Sequence, residues 1–404
     1  MLKSDSNTAN TSVRDFFSRT RATTLFRPVI IANIYLFFYF GLSTWLPFFN
    51  IYLLDRGFNG RQVGIITGLY QAMLFFVVPV WGMVADRFGN RKTLHITLFG
   101  AMLAVLFLRF IPTFEMLTLY MLGFAFLHHP IGMLTDSLAI TYVRHSNRVS
   151  FGHMRVWGSV SWAIGAVIMG RFLQAHSTAT IFQIAPVIYG VTWLIIWLYQ
   201  KPEDLQRVRV SFRFSELKEI FANKKIIFFL LLLTLFGIGV SPLYIFINLY
   251  FRDIGAGNEL IGLGFAIMAI SEVPFFFLAG SFVKRWGAAK ILLLAIATAI
   301  VRLGLYSLIS NPLIAVFLGL AQGLNFSLFW VVVVEIMHNL VPEQYRATAQ
   351  SLIWAFHIGG GLTIGNMSIG WLSDVLPMQQ VMLLASAFTS VAFIYAMLYF
   401  WKNH

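Results

Sequence analysis

The sequence predicts an all-α membrane protein: twelve transmembrane helices in two six-helix, pseudo-symmetric bundles. Three observations carry this. The 404 residues are 58% hydrophobic and 11% charged, with mean hydropathy +0.77, whereas a soluble domain carries about 25% charged residues. Apolar runs of membrane-spanning length recur along the chain. A block of the first half also returns, without gaps, in the second. Aromatic residues at 16% suit lipid-facing and helix-packing surfaces.

The elements follow in order. A span needs about 20 apolar residues, and such runs lie at 28–52, 62–84, 93–111, 115–140, 152–173, 180–199, 226–251, 260–281, 290–310, 312–337, 347–372 and 378–401. An even number of spans puts both termini on one side. Residues 1–27 are polar, carry Arg14, Arg19, Arg21 and Arg27, and have no apolar core, so they read as a tail rather than a cleavable signal peptide. The predicted organisation is a tail (1–27), an N-terminal bundle (28–199), a linker (200–225) and a C-terminal bundle (226–401). The linker carries Lys201, Arg207, Arg209, Arg213, Lys218, Lys224 and Lys225. Within it, "FRFSELKEIF" spaces Phe214, Leu217 and Phe221 as on a helix lying along the membrane surface.

Charge sets the orientation. Roughly 23 of the 29 Lys and Arg fall in the tails and even-numbered connections, against about five on the opposite side. This predicts a cytoplasmic (inner) membrane protein with both termini and the central linker in the cytoplasm. The net charge of +13 is thereby a matter of topology, and nucleic acid is not an expected partner. The absence of cysteine excludes disulfides, thiol catalysis and Cys-based metal sites.

The repeat sets the architecture. "NIYLLDRGFNGRQVGI" from Asn50 aligns with "NLYFRDIGAGNELIGL" from Asn248, so that Asn50/Asn248, Tyr52/Tyr250, Asp55/Asp253, Gly57/Gly255 and Gly64/Gly262 coincide. At the same offset Gly82, Arg87, Gly89 and Lys92 meet Gly280, Arg285, Gly287 and Lys290.

Between the second and third spans stands "GMVADRFGNRK", with Gly82, Asp86, Arg87, Gly89, Arg91 and Lys92. Gly82 fits close helix approach; Asp86 fits a helix cap or a cation, and the bases fit an anionic membrane face. This loop, with the twelve-span repeat, resembles the major facilitator superfamily. The resemblance implies the major facilitator fold and a latch that closes the cytoplasmic side during alternating access. The second copy, "GSFVKRWGAAK", has Lys284 where the acid stands, so the latch is expected from the first half alone. The fourth and fifth spans lack the basic Gln-Gly and Gly-Pro patterns of the drug/proton antiporters, which disfavours that branch.

"FGHMRVWGSVSWA" resembles the fifth helix of the oligosaccharide:proton symporters, lactose permease among them. That resemblance places a substrate-gripping arginine on Arg155 and a stacking tryptophan on Trp162. Asp136 lies near the same end of the fourth span, so both charges are expected at similar depth. An intramembrane charge costs about 2.5–3.5 kcal/mol at a helix centre, so it faces a cavity and finds a partner. An Asp–Arg pair can bind vicinal hydroxyls or release the arginine to a carboxylate. The other reading is a structural ion pair near the interface, with Trp162 packing.

Glu272 in "AISEVPFFFLAG" and Arg302 in "AIVRLGLYSLIS" both lie near mid-span. Desolvation and a nearby arginine act in opposite senses on a carboxylate's hold on its proton. Glu272 is thus a candidate proton carrier with Arg302 as partner, the alternative being a permanent structural pair. The resemblance has a departure here: its coupling His and Glu fall on Gln322 and Asn325, which do not titrate. "ISEVPFFFLAG" and "LFWVVVVEIMHNLVPEQYRATAQSL" are similar to the phenylpropionate-permease-like branch. Glu335 reads as structural. His128 and His129, before Pro130, read as packing or cavity lining, since a metal needs more ligands. "GLAQG" (Gly319 to Gly323) and "GLTIG" (Gly361 to Gly365) are small-residue pairs for close helix contact.

No phosphate loop, nucleotide fingerprint or nucleophile constellation is present, so neither an enzyme nor an ATP-driven pump is expected, and no cofactor or metal. The sequence predicts a proton-coupled symporter of a small polar or amphipathic solute: a glycoside, a nucleoside or an aromatic acid. Its expected partners are that solute, the proton and the lipid bilayer, and the chain is expected to act as a monomer. A uniporter of the same fold is the alternative. A non-transporting sensor would call for an appended signalling domain, for which neither terminal tail offers material.

Overall fold

The computed structural model describes residues 28–144, 151–198 and 219–403. They are almost entirely helical. Ten helices are long and apolar enough to cross a membrane, and a bent pair makes an eleventh. In chain order these are α1 (Pro28–Asp55), α2 (Gly60–Val77 and Pro79–Phe88), α3 (Asn90–Leu108), α4 (Phe114–Arg144), α5 (Phe151–Leu173) and α6 (Thr178–Leu198). The second half has α7 (Lys224–Asp253), α8 (Asn258–Trp286), α9 (Ala288–Leu308) and α10 (Pro312–Leu340). The final helix is α12 (Met378–Trp401).

The predicted span at 347–372 is helical throughout, as Arg346–Ile353, Trp354–Leu362 and Thr363–Leu372, here α11. It falls outside the count by composition because glycines and the buried His357 and Asn366 dilute its hydropathy. The bend in α2 precedes Pro79, which offers no N–H to the helix ladder and crowds the carbonyl one turn back. Phe214 and Leu217 of the expected surface helix lie outside the described residues. Residues 219–222 are helical, and the Phe221 ring lies 6.3 Å from that of Phe356.

Each half packs on itself: α3 against α4 and α6 in the first, α9 against α12 and α7 against α11 and α12 in the second. The halves meet along two seams, α2 with α11 and α5 with α8. Among the described residues the four with positive φ are all glycines: Gly57, Gly89, Gly255 and Gly287. They are two pairs of repeat equivalents. Gly89 and Gly287 each end one helix and begin the next at φ 90° and 84°, where a Cβ would clash with the backbone. The duplicated sequence therefore imposes duplicated turns.

The face carrying residue 28 and the turn at Gly89 is called near, and the opposite face far. The seams close at the far face. A Cβ on Gly64 would lie 2.9 Å from Gly370 Cα, and one on Gly262 3.0 Å from Gly170 Cα, so only glycine allows these crossings. Across the seams Asn50 donates to the Ile245 carbonyl (2.5 Å) and Asn248 to the Pro47 carbonyl (2.7 Å). Arg252 pairs with Asp55 at 2.8 Å. Asp374, just past α11, accepts the backbone N–H groups of Gly60 (2.5 Å) and Arg61 (2.9 Å), capping α2 from the other half. At the equivalent place in the second seam, Gln174 accepts from Glu259 N–H at 3.4 Å.

Candidate functional site

Asp136 on α4 and Arg155 on α5 come together, with Nε 3.8 Å from Oδ1. The contact puts the two charges at one level in the bundle. Each side chain is 38% exposed although helices surround it, which places the pair on a cleft within the bundle.

Two tyrosines of α1 complete this cluster. The Tyr35 hydroxyl donates to Asp136 Oδ1 at 2.5 Å. The Arg155 guanidinium lies 4.5 Å over the Tyr39 ring and 5.7 Å from the Tyr35 ring, where ring quadrupoles favour a cation. Tyr35 and Tyr39 are one turn apart on one face of α1. Sequence analysis passed over them, since tyrosine is common in apolar helices, and only that spacing hinted at them.

Farther from the near face is a cavity of about 140 Å³ between the halves, lined by Trp45, Tyr70, Trp162, Tyr244 and Phe265 among others. Trp162 also packs on Ala163, Ala266 and Ala269, the alternative that the sequence offered to stacking. His128 is buried in a relay behind the cavity wall. Its Nδ1 meets the Tyr70 hydroxyl (2.8 Å) and its Nε2 the Tyr189 hydroxyl (3.0 Å), which accepts from Trp45 Nε1 (2.9 Å). His129 Nε2 meets the Tyr70 carbonyl at 2.7 Å. Both histidines are in the packing role expected, and no group of three metal-ligating side chains occurs among the described residues.

In the second half Arg302 is 1% exposed. Its Nη1 donates to Gln322 Oε1 and to Asn325 Oδ1 (3.0 Å), and its Nη2 approaches Met268 Sδ (3.1 Å) and the Tyr306 hydroxyl (3.3 Å). The expected Glu272–Arg302 ion pair is not formed. Gln322 stands between them, accepting from Arg302 and donating through Nε2 to Glu272 Oε1 at 3.3 Å. A side-chain amide carries both a donor and an acceptor and so can bridge a cation to an anion. The two residues set aside as non-titrating are the ones that hold the cation. Glu272 lies on α8, which packs against the α5 that carries Arg155. Among the described residues, π-helical turns occur only in this half, at Pro242–Phe246, Gly323–Ser327 and Trp354–Leu362. They carry Tyr244, Asn325 and His357, in line with the tendency of such turns to lie at functional sites.

Arg91 donates to the Trp197 carbonyl at the end of α6 (2.9 Å), Asp86 is engaged, Arg87 lies 5.4 Å over the Phe88 ring, and Lys92 is exposed. Sequence analysis assigns Gly82 to close helix approach; here a Cβ on it would meet nothing within 4 Å. The close approaches fall on other glycines, Gly64 with Gly370, Gly170 with Gly262 and Gly237 with Gly361 among them. Gly323 meets the expectation for its motif: a Cβ there would be 2.2 Å from the Ser271 carbonyl. Glu335 has no ion-pair partner among the described residues.

Two related helical halves, closed at one face around a cleft with paired charges and an aromatic cavity, define a multi-pass membrane transporter rather than an enzyme. The chain belongs to the MFS_1 like family, whose model matches residues 29–384, and it is a transporter of the major facilitator superfamily. It is 26% identical over 362 residues to an uncharacterised transporter of Bacillus subtilis (strain 168), covering 88% of each chain. It is 24% identical over 348 residues to the maltose permease of Geobacillus stearothermophilus, covering 83% of this chain and 84% of that one. It is 24% identical over 368 residues to a probable 3-phenylpropionic acid transporter of Escherichia coli (strain K12), covering 85% and 90%. The crystal structure of nucleoside transporter NupG matches with a TM-score of 0.83 at 16% identity, over 92% of this chain and 98% of that one, and so shares the fold.

Proposed function

We propose that this chain is a proton-coupled symporter that imports a small polar or amphipathic solute across a bacterial inner membrane by alternating access. In this reading it works as a monomer with its termini and the 200–225 linker in the cytoplasm. Asp136, Arg155 and Trp162 bind the solute, Glu272 carries the proton, and the loop of Gly82, Asp86, Arg87, Gly89, Arg91 and Lys92 latches the near face when the far face opens. The 28–199 and 226–401 halves rock against each other around the cleft.

The observation that carries the proposal is the arrangement about Glu272. Its carboxylate receives one amide hydrogen bond at 3.3 Å and no guanidinium, because Gln322 stands between it and Arg302, whose two Nη groups are held by Gln322, Asn325 and Tyr306. Arg155 stands on α5 of the other half, the helix that packs against α8. A carboxylate so placed can hold a proton when the halves part and release it when the Arg155 charge comes near, which ties protonation to conformation. The relatives' names, a maltose permease and a phenylpropionic acid transporter, support a small organic solute.

The test is uptake into proteoliposomes driven by an imposed pH gradient, beside solute counterflow. Glu272→Gln is expected to abolish accumulation and leave counterflow intact, since exchange requires no net proton release. Wild-type uptake indifferent to both the pH gradient and the membrane potential would replace the symporter with a facilitator.

A further inference from the structure

The solute class can be narrowed from the cavity's own hydrogen bonds; the argument rests on the transporter reading above. No charged side chain lines the 140 Å³ cavity. Its polar groups are largely engaged by the protein: Asn50 with the Ile245 carbonyl, Thr67 with the Val63 carbonyl (2.8 Å), Trp45 with Tyr189, and Tyr70 with His128. Gln71 and the Tyr244 hydroxyl, which is buried without a partner, are left to a ligand. A polyol would leave most of its hydroxyls unpaired there, each with the desolvation penalty of a buried orphan. A flat apolar ring would not. An apolar cavity of roughly 150 Å³ is large enough for benzene.

The charged end lies on the same helix face. Arg155 and Trp162 are seven residues apart on α5, two turns, so they project alike about 10.5 Å apart along the axis. No carboxylate among the described residues makes a two-point contact with the Arg155 fork. Asp136 approaches only Nε, at 3.8 Å, and that same oxygen already accepts from Tyr35. A planar fork with this freedom matches a carboxylate.

We propose that the solute is an arylalkyl monocarboxylate, with its ring in the aromatic cavity and its carboxylate on Arg155. The helical offset, shortened by the long arginine side chain, calls for a short alkyl linker between ring and carboxylate. An anion entering beside Asp136 and Glu272 brings three negative charges against the two positive charges of Arg155 and Arg302, and a proton on Glu272 restores the balance. Transport of one anion with one proton is then electroneutral.

The experiment uses the purified full chain in proteoliposomes with phenylpropionate, benzoate, phenylpropionamide, maltose and uridine. Phenylpropionate uptake is expected, driven by a pH gradient and unmoved by membrane potential alone. Benzoate and the neutral amide should compete at least about tenfold more weakly, the first for lack of a linker and the second for lack of charge. Arg155→Lys should weaken phenylpropionate by a similar factor and leave the amide unchanged. Because the wild-type ranking is itself decisive, a misfolded variant does not remove the test. Uptake of maltose or uridine with phenylpropionate idle overturns the assignment and leaves the transporter reading standing. An amide that competes as well as the acid, or a panel in which nothing moves, also overturns it.

Discussion

Replacing Asp374 with alanine should loosen the far face by a predictable amount. Its carboxylate accepts two N–H groups at the start of α2, at 2.5 and 2.9 Å, from a position in the other half of the protein. Loss of an N-cap side chain costs about 0.5–2 kcal/mol, and a carboxylate's attraction to the helix dipole contributes about 0.3–1 kcal/mol. Both exist only while α2 and α11 are together, so their loss counts against the closed state alone. A net loss of about 1–2 kcal/mol raises the ratio of open to closed far face roughly 5–30-fold. The chain has no cysteine, so Gln71→Cys places a single thiol on the cavity wall. Its rate of labelling by a membrane-impermeant maleimide applied to the far side reads that ratio directly. The matched control is Gln174→Ala, which removes an uncharged acceptor at 3.4 Å and should change labelling by roughly twofold or less. Equal effects from the two substitutions, or none from Asp374→Ala in protein that remains folded, would refute the trans-cap as a closing force.

Four further outcomes are expected. Asp136→Asn should lower solute affinity by about one order of magnitude or more with folding retained, as followed by binding and thermal unfolding, because it removes the charge that orients Arg155 and Tyr35. Trp162→Tyr should impair binding less than Trp162→Ala, which opens a void beside Ala163, Ala266 and Ala269 as well; equal losses would count against a stacking role. Gly89→Ala and Gly287→Ala should each cost about 1–2 kcal/mol for a Cβ at positive φ, measured as lowered midpoints of unfolding in detergent. Reporter fusions to the two termini should both be active in the cytoplasm, and a periplasmic signal from either would contradict the charge-based orientation.

Much of the fold was legible because a bilayer core admits little besides apolar helices with all backbone groups paired. The spans were readable to within a few residues wherever hydropathy alone sets the limit. α4 ran past its apolar stretch, since a helix continues into the interface as long as its backbone bonds are met. The turns at Gly57, Gly89, Gly255 and Gly287 were visible as repeats before they were visible as geometry. In the site, Asp136, Arg155, Glu272 and Arg302 stood out because charge is costly in a membrane and therefore conspicuous. What charge does not mark was missed. Tyr35 and Tyr39 look like any aromatic residues of a span, and their function comes from the face they share. Gln322 and Asn325 were read by what they do not do, titrate, whereas their amides position Arg302. Sequence shows which groups can bond, but the choice of partner among several within reach is made by packing.

The far-face contacts also bear on how such a molecule could be assembled. Asn50 reaches the carbonyl of Ile245, and Asn248 reaches the carbonyl of Pro47; position 47 is the repeat equivalent of 245. Each half thus offers the other the patch that it receives, which is the signature of an isologous, two-fold dimer interface preserved within one polypeptide. The surfaces that recognise one another are complete within each half, and the covalent connection between the halves supplies proximity rather than specificity. Halves severed in the linker and produced as separate chains should therefore find one another in the membrane. Asp374 opposite Gln174 marks where the two copies have diverged: the α2–α11 seam is held by a charged cap, and the α5–α8 seam by Asn258 on the Leu173 carbonyl at 2.9 Å, so only the first should weaken when a carboxylate is lost.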